Sequence, residues 1–259
     1  MANTDSNVSK AAHLGGTLGM AAVAFLVIGV SCATLELLPA FGGFLVMVLG
    51  LGMALVGIVT SIVGVVATAP GKNRDGRSSA LRGLLLSLVT IGSLAVPISH
   101  GAGVPRINDI TTDLNDPPVF VSALEHEANR GRDMAYPGAG FADQQVKAYP
   151  DLASLVLEDA PAAAFDRVHA ALAVMPRLRI TGENLAEGRI EATETSALFH
   201  FADDVVVRIR PYEDGGSRVD VRSKSRDGKG DSGVNATRIR KIFALVRGGA
   251  AEPSGRGGD

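Results

Sequence analysis

The sequence predicts an all-α membrane anchor of three transmembrane helices, followed by a soluble α+β domain in which an antiparallel four-stranded sheet carries helices on one face. Three observations predict it. Of the 25 Lys/Arg and 27 Asp/Glu in 259 residues, only 5 basic and 3 acidic groups fall in the first hundred. Within that hundred, three long apolar runs lack any charged side chain. Beyond it, four stretches of period-two alternation lie between two helical stripes. The net charge of −2 is therefore a near-cancellation within a chain of two unlike parts. Such a distribution excludes a single soluble globule, a disordered chain and a strongly basic nucleic-acid binder, so no nucleic-acid partner is expected.

Residues 1–13 form an N-terminal tail, and residues 14–100 form the membrane domain. The apolar runs are Leu14–Ala33, Ala40–Ala69 and Gly83–Ser99. A bilayer core needs roughly 20 apolar residues as a helix, so helices are expected over about 14–34, 41–69 and 82–100. The middle run is long for one crossing and short for two with a turn. It reads as one tilted helix, with four spans as the alternative. The connection Pro70–Arg82 carries Lys72, Arg74, Arg77 and Arg82 against Asp75, whereas Leu35–Pro39 has Glu36 and no basic residue. The positive-inside bias puts the basic connection in the cytoplasm. Three crossings then leave the soluble domain on the periplasmic side of a bacterial inner membrane, and four would reverse it.

Gly15/Gly19, Gly50/Ala54 and Gly57/Ser61 are spaced for close helix approach, in cis or between protomers as a homo- or hetero-oligomer. The absence of Asp, Glu, Lys and Arg inside the runs argues against a transporter of charged substrates. Cys32, the single cysteine, follows Gly29 at the position where a lipoprotein processing site has a large aliphatic residue, and reads as an ordinary thiol. One cysteine also excludes a disulfide within the chain.

The soluble domain is expected over 101–247, with a disordered Gly-rich tail over 248–259. Its first sixty residues are rich in Gly, Pro and Asp/Asn, as in Tyr136-Pro137-Gly138-Ala139-Gly140, and read as a long irregular arm. Arms of this length wrap a core or build a site. Ala162–Met175 then shows helical spacing behind Pro161. Strands are expected at Arg177–Thr181, Gly188–Thr195, Asp204–Pro211 and Ser217–Arg226, the last two joined by the turn residues Asp214-Gly215-Gly216. A final helix spans Val234–Val246, with Ile239, Ile242, Phe243 and Val246 on one face.

Three segments carry a family resemblance. The first is Ile107-Asn108-Asp109-Ile110-Thr111-Thr112-Asp113 with Asp116-Pro117-Pro118-Val119-Phe120. The second is Tyr149-Pro150-Asp151-Leu152, and the third is Arg222-Ser223-Lys224-Ser225-Arg226 with Gly233-Val234-Asn235 and Arg238-Ile239-Arg240. Over about residues 106–246 the chain resembles an uncharacterised bacterial and plastid family, domain of unknown function 1499. The resemblance implies domain boundaries but no activity, and it carries over no catalytic residue.

Candidate chemistry centres on the last strand. Arg222, Lys224 and Arg226 share one face at period two, with Arg208 and Arg210 on the neighbouring strand. The link Asp227–Gly233 leads into a helix N-terminus that Asp231 or Ser232 can cap. Guanidinium groups and free backbone N–H groups suit a phosphate or carboxylate. The expected anion-binding set is Arg208, Arg210, Arg222, Ser223, Ser225, Arg226, Asn235 and Arg238. The competing reading is a solvated face neutralised by Asp220, Glu191 and Glu194. A second candidate lies in the arm, Glu125-His126-Glu127 with Arg130, Arg132, Tyr136, Gln144, Gln145 and Tyr149, where a His between carboxylates suits a general base or metal ligand. The spacing is not that of a metalloprotease helix, an exposed polar turn is the competing reading, and the serines lack a nucleophile elbow. No catalytic residue, metal or cofactor is expected. The sequence thus points to a binding or assembly domain for an anionic lipid or envelope component. A structural subunit of a membrane complex and an envelope lipid-modifying enzyme are the alternatives.

Overall fold

The computed structural model describes residues 7–93 and 103–248. The chain divides into two units, Met1–His100 with Ala197–His200, and Gly101–Ser196 with Phe201–Asp259.

The first unit contains helices α1 (Lys10–Thr34), α2 (Ala40–Ala67) and α3 (Arg77–Gly92). Ser9 caps α1 by accepting a hydrogen bond from the Ala12 N–H. Arg77 donates to the carbonyls of Val65 and Thr68, two of the acceptors that the end of α2 leaves open. Every buried residue of the three helices is small except Met47: Gly15, Gly19 and Ala22 in α1, Gly50, Gly57 and Ser61 in α2, and Gly83 and Ser87 in α3 are examples. Large apolar side chains such as Val59 and Leu85 point outward, the latter 62% exposed. This inverts the arrangement of a water-soluble bundle. With no hydrophobic gain from packing apolar groups away from lipid, helices associate through small faces that let backbones touch. A Cβ on Gly19 would stand 2.6 Å from the Gly83 carbonyl oxygen, and one on Gly64 2.6 Å from the Ala12 Cα. The small-residue faces are therefore used between helices of this one chain.

Among the described residues, two helices, α1 and α2, are long and apolar enough to cross a membrane. The expected three are not matched. The third expected span, 82–100, begins earlier, at Arg77 inside the basic connection, with Gly76 (φ 112°) as its N-cap. Its described helix has 16 residues, about 24 Å at 1.5 Å per residue. Residues 94–100 of that span, and the tail 249–259, lie outside the described residues. The middle run is a single helix, as its length suggested.

The second unit is a sheet covered on both faces. Strands β3 (Leu178–Asn184), β4 (Arg189–Thr195), β5 (Ala202–Pro211) and β6 (Ser217–Ser225) form an antiparallel meander, with the β5–β6 turn at Asp214 (φ 55°) and Gly215 (φ 83°). The sheet has six strands rather than the expected four. Two three-residue strands from the arm, β1 (Asp109–Thr111) and β2 (Leu155–Leu157), pair antiparallel with the two ends of β6. They close what would be an open edge. Three residues are too few to show alternation.

Helices α6 (Pro161–Ala173) and α7 (Val234–Gly248) cover one face. Leu172, Ile239 and Ile242 pack there on Ile190, Val205, Val207, Val219 and Val221. The arm covers the other face with its short helix α4 (Ser122–Glu125), while α5 (Ala139–Ala148) follows further along the arm. Phe120, Ala123 and Met134 form a small second cluster there with Val206. The buried Glu191 carboxylate fastens this cover by accepting hydrogen bonds of 2.9 Å from the backbone N–H groups of Val121, Ser122 and Ala123. Gln145 of α5 bonds both the N–H and the carbonyl of Thr111, tying the arm to itself.

Candidate functional site

The arm face of the sheet is built by strand alternation. Arg218, Asp220, Arg222 and Lys224 stand on it from β6, opposite Arg210, Arg208, Val206 and Asp204 on β5, and Arg226 follows just past the strand, its N–H bonded to the Ala202 carbonyl. These charges sort into three groups. Arg208, Arg210 and Arg218 share the carboxylates of Asp113, Asp116 and Asp220 at 2.8–3.4 Å. Burial alone would raise the Asp113 carboxyl. The N–H of Asp116, the Arg218 charge, the N–H of Asn115 and Arg208 together hold it below its ordinary value. Arg226 pairs with Asp204, which also accepts from Asn129 and Thr193.

The third group is the innermost. Arg222, 1% exposed, makes a bidentate pair with Asp109 of β1, Nε to Oδ1 at 2.8 Å and Nη2 to Oδ2 at 2.7 Å. Lys224 Nζ reaches the same Oδ2 at 2.9 Å. Arg222 further donates to the carbonyls of Pro118 (Nη1, 3.2 Å) and Met134 (Nη2, 2.9 Å). Its guanidinium lies 4.9 Å from the Phe120 ring centroid and 5.6 Å from that of Tyr136. A guanidinium has five N–H groups, so one on Nη1 has no partner among the described residues.

Above Arg222 the arm leaves an open cleft of about 510 Å³. Pro117, Val119, Phe120, Leu124, Met134 and Ala135 form its apolar walls, and Asn115, Asp116, Tyr136 and Arg222 its polar lining. The Tyr136 hydroxyl is buried without a hydrogen-bond partner among the described residues. Burial first, and the Asp109 charge second, push its pKa up to about 12 against the opposing effect of Arg222. The phenol thus keeps its proton at neutral pH and can donate.

The eight expected anion ligands do not form one set. Arg208, Arg210, Arg222 and Arg226 lie on the arm face, and Arg222 alone of them lines the cleft. Ser223, Ser225, Asn235 and Arg238 lie on the helix face. There Asn235 bonds both serines, and Arg238 bonds Ser223 and the carboxylates of Asp203 and Glu194. This network holds α7 on the sheet. The α7 N-terminus already holds an anion, since Asp231 accepts from the N–H groups of Gly233 and Asn235 at 2.9 Å. Glu125, His126 and Glu127 are exposed. Among the described residues, no group of three or more His, Cys, Asp or Glu side chains could hold a metal ion.

Of the site residues, the sequence points to Tyr136, among the arm candidates, and singles out none of Asp109, Phe120 and Met134 as a ligand contact. Asp109 and Phe120 do sit in the first resembling segment. A family model described as protein of unknown function (DUF1499) matches residues 109–246, from β1 to α7. No curated protein matches the chain.

Proposed function

Starting from a chain that belongs to the DUF1499 family, matched over residues 109–246, we propose that it is a membrane-anchored binding protein whose sheet domain takes an anionic ligand in the cleft at Arg222. The observation that carries this reading is a buried guanidinium with one unused N–H in the lining of a largely apolar cleft, the same lining that holds the Tyr136 hydroxyl, which has no partner among the described residues. Buried donors without acceptors cost stability, and a bound anion would satisfy both.

The anchor is the helical unit. We assign α1 and α2 as spans, and α3 as the start of a third crossing. The support is that α3 packs against both other helices while Leu81, Leu85, Leu88 and Val89 face outward. With the basic connection after α2 in the cytoplasm, a third crossing presents the domain on the extracytoplasmic side of a bacterial inner membrane. The ligand is then an anionic lipid or other envelope component. A phosphatase reporter fused at residue 105 tests the side, and an inactive but stable fusion would refute it.

Binding is tested on the full chain in zwitterionic nanodiscs, against empty nanodiscs. Saturable one-to-one binding is expected for decanoate or decyl phosphate, and none above the empty discs for decyltrimethylammonium. Failure of both anionic amphiphiles to bind would overturn the reading.

A further inference from the structure

The helical unit carries its positive charge at one end. Asn7–Ser9, just ahead of α1, run beside the connection between α2 and α3. Val8 forms a parallel bridge with Asp75, the Ser9 N–H donates to the Asp75 carbonyl at 3.0 Å, and Asn7 Nδ2 donates to the Asn73 carbonyl at 2.6 Å. The start of α1 and the basic connection thereby make one surface. It carries Lys10, Lys72, Arg74, Arg77 and Arg82, all exposed, against Asp75. Asp5, outside the described residues, makes the count five to two. Glu36 lies past the far end of α1, a helix about 37 Å long at 1.5 Å per residue. Among the described residues none of the five cations meets a carboxylate, and Arg77 and Arg82 donate to backbone carbonyls. Neither α1 nor α3 has an acidic residue in its first turn, so two helix dipoles add their positive ends.

On this surface a cleft of about 440 Å³ is lined by Val8, Lys10, His13, Leu14 and Thr17. The last four recur at i, i+3, i+4 and i+7, so they share one face of α1 and Lys10 and His13 are neighbours. Val8 (42% exposed) and Leu14 (48% exposed) give the cleft apolar walls. Lys10 and His13, both exposed, supply an ammonium and a ring N–H. The Thr17 hydroxyl is already bonded to the His13 carbonyl at 3.1 Å. Cation and apolar wall in one cleft suit an amphiphile with an anionic head.

We propose that this cleft seats one anionic phospholipid, its phosphate on Lys10 and His13 and an acyl chain along Leu14 and the Thr17 methyl toward the bilayer core. The inference rests on α1 and α2 being spans, which puts Lys10 at the membrane boundary, where long cationic side chains reach headgroups. A zwitterionic headgroup brings an ammonium that the surrounding cations repel. Phosphatidylglycerol offers a phosphodiester with one net negative charge.

The test is native mass spectrometry of the full chain in nonionic detergent, with phosphatidylglycerol or phosphatidylcholine of matched acyl chains. The first phosphatidylglycerol should be held about tenfold more tightly than phosphatidylcholine. Lys10→Gln should weaken it about fivefold, the contribution of one basic residue near a headgroup. Lys72→Gln removes the same charge from outside the cleft lining and should change it by no more than about twofold. Equal losses in the two variants would mean a diffuse surface charge and overturn the site, as would equal retention of the two lipids. Glycerol phosphate at the same concentration should leave the lipid bound, and displacement by it would overturn the seat for the chain. Carbonate washing of membranes checks the premise separately. Release of the chain would overturn the anchor, whereas retention without a lipid preference would overturn the site alone.

Discussion

Replacing Asp109 by Asn tests the foundation of the site. The Asp109 carboxylate is fully buried and holds two buried cations, through Arg222 at 2.7–2.8 Å and Lys224 at 2.9 Å. An amide keeps the shape but removes the charge, leaving both cations uncompensated. Breaking a buried pair from one side costs about 3–5 kcal/mol, because the stranded charge keeps its desolvation penalty. With two cations stranded, the upper part of that range is expected. For a domain of this size it corresponds to a fall in melting temperature on the order of 10–20 °C. The assay can be confined to the sheet domain, because the chain has no Trp and its three tyrosines, Tyr136, Tyr149 and Tyr212, all lie in that unit. The tyrosine band of the near-ultraviolet circular dichroism of the full chain in nanodiscs, with empty discs subtracted, therefore reports on its packing. Adding Arg222→Met and Lys224→Met to Asp109→Asn should recover most of the loss, since removing all the charges is far less costly than orphaning two. A single variant that melts within a degree or two of the wild type would refute the reasoning.

Other expectations concern the cover, the anchor and pH. Glu191→Gln removes the charge that three arm N–H groups share, so hydrogen exchange at Val121–Ala123 should accelerate at least tenfold while the β5–β6 amides stay protected. Gly83→Leu puts a side chain where the backbone of Gly15 and Gly16 lies, and should lower the thermal stability of the helical unit in far-ultraviolet melts. Gly52→Leu, which meets nothing within 4 Å, should leave it unchanged. Because the folded Asp113 carboxyl is held below its ordinary 3.8, its contribution is present above that pH and is lost as pH falls through the lowered value. Melting temperature should thus drop more steeply below about pH 4 in the wild type than in Asp113→Asn, and parallel curves would refute this.

The meander and its facing were legible because alternation is local. Val205, Val207 and Ile209 point to the helices, and Val206, Arg208 and Arg210 to the arm, as period two dictates. The last strand and the two covering helices followed from the same kind of pattern. The neutralising partners did not. Asp220 does face Arg208, Arg210 and Arg218, but Asp109, Asp113 and Asp116 reach the sheet from about a hundred residues away, and no spacing announces such pairs. Glu191 was expected among the neutralising acids, yet besides its contact with Arg189 it grips the arm backbone. Glu194, expected in the same role, faces the helices and meets Arg238. The eight-residue anion set failed to converge for a related reason. Ser223 and Ser225 alternate with Arg222 and Arg226, so a strand must send them to opposite faces. In the anchor, the apolar runs gave the helices, but only the packing shows their small faces turned inward.

The cleft itself is tested most directly from its rim. Leu124 is 53% exposed and lines the apolar wall, so Leu124→Glu places a carboxylate in the ligand's path without disturbing the core. The measurement is decanoate affinity of this variant and the wild type, both as full chains in zwitterionic nanodiscs. The account predicts an unchanged tyrosine circular dichroism spectrum and at least a tenfold loss of affinity. An affinity equal to that of the wild type would contradict it.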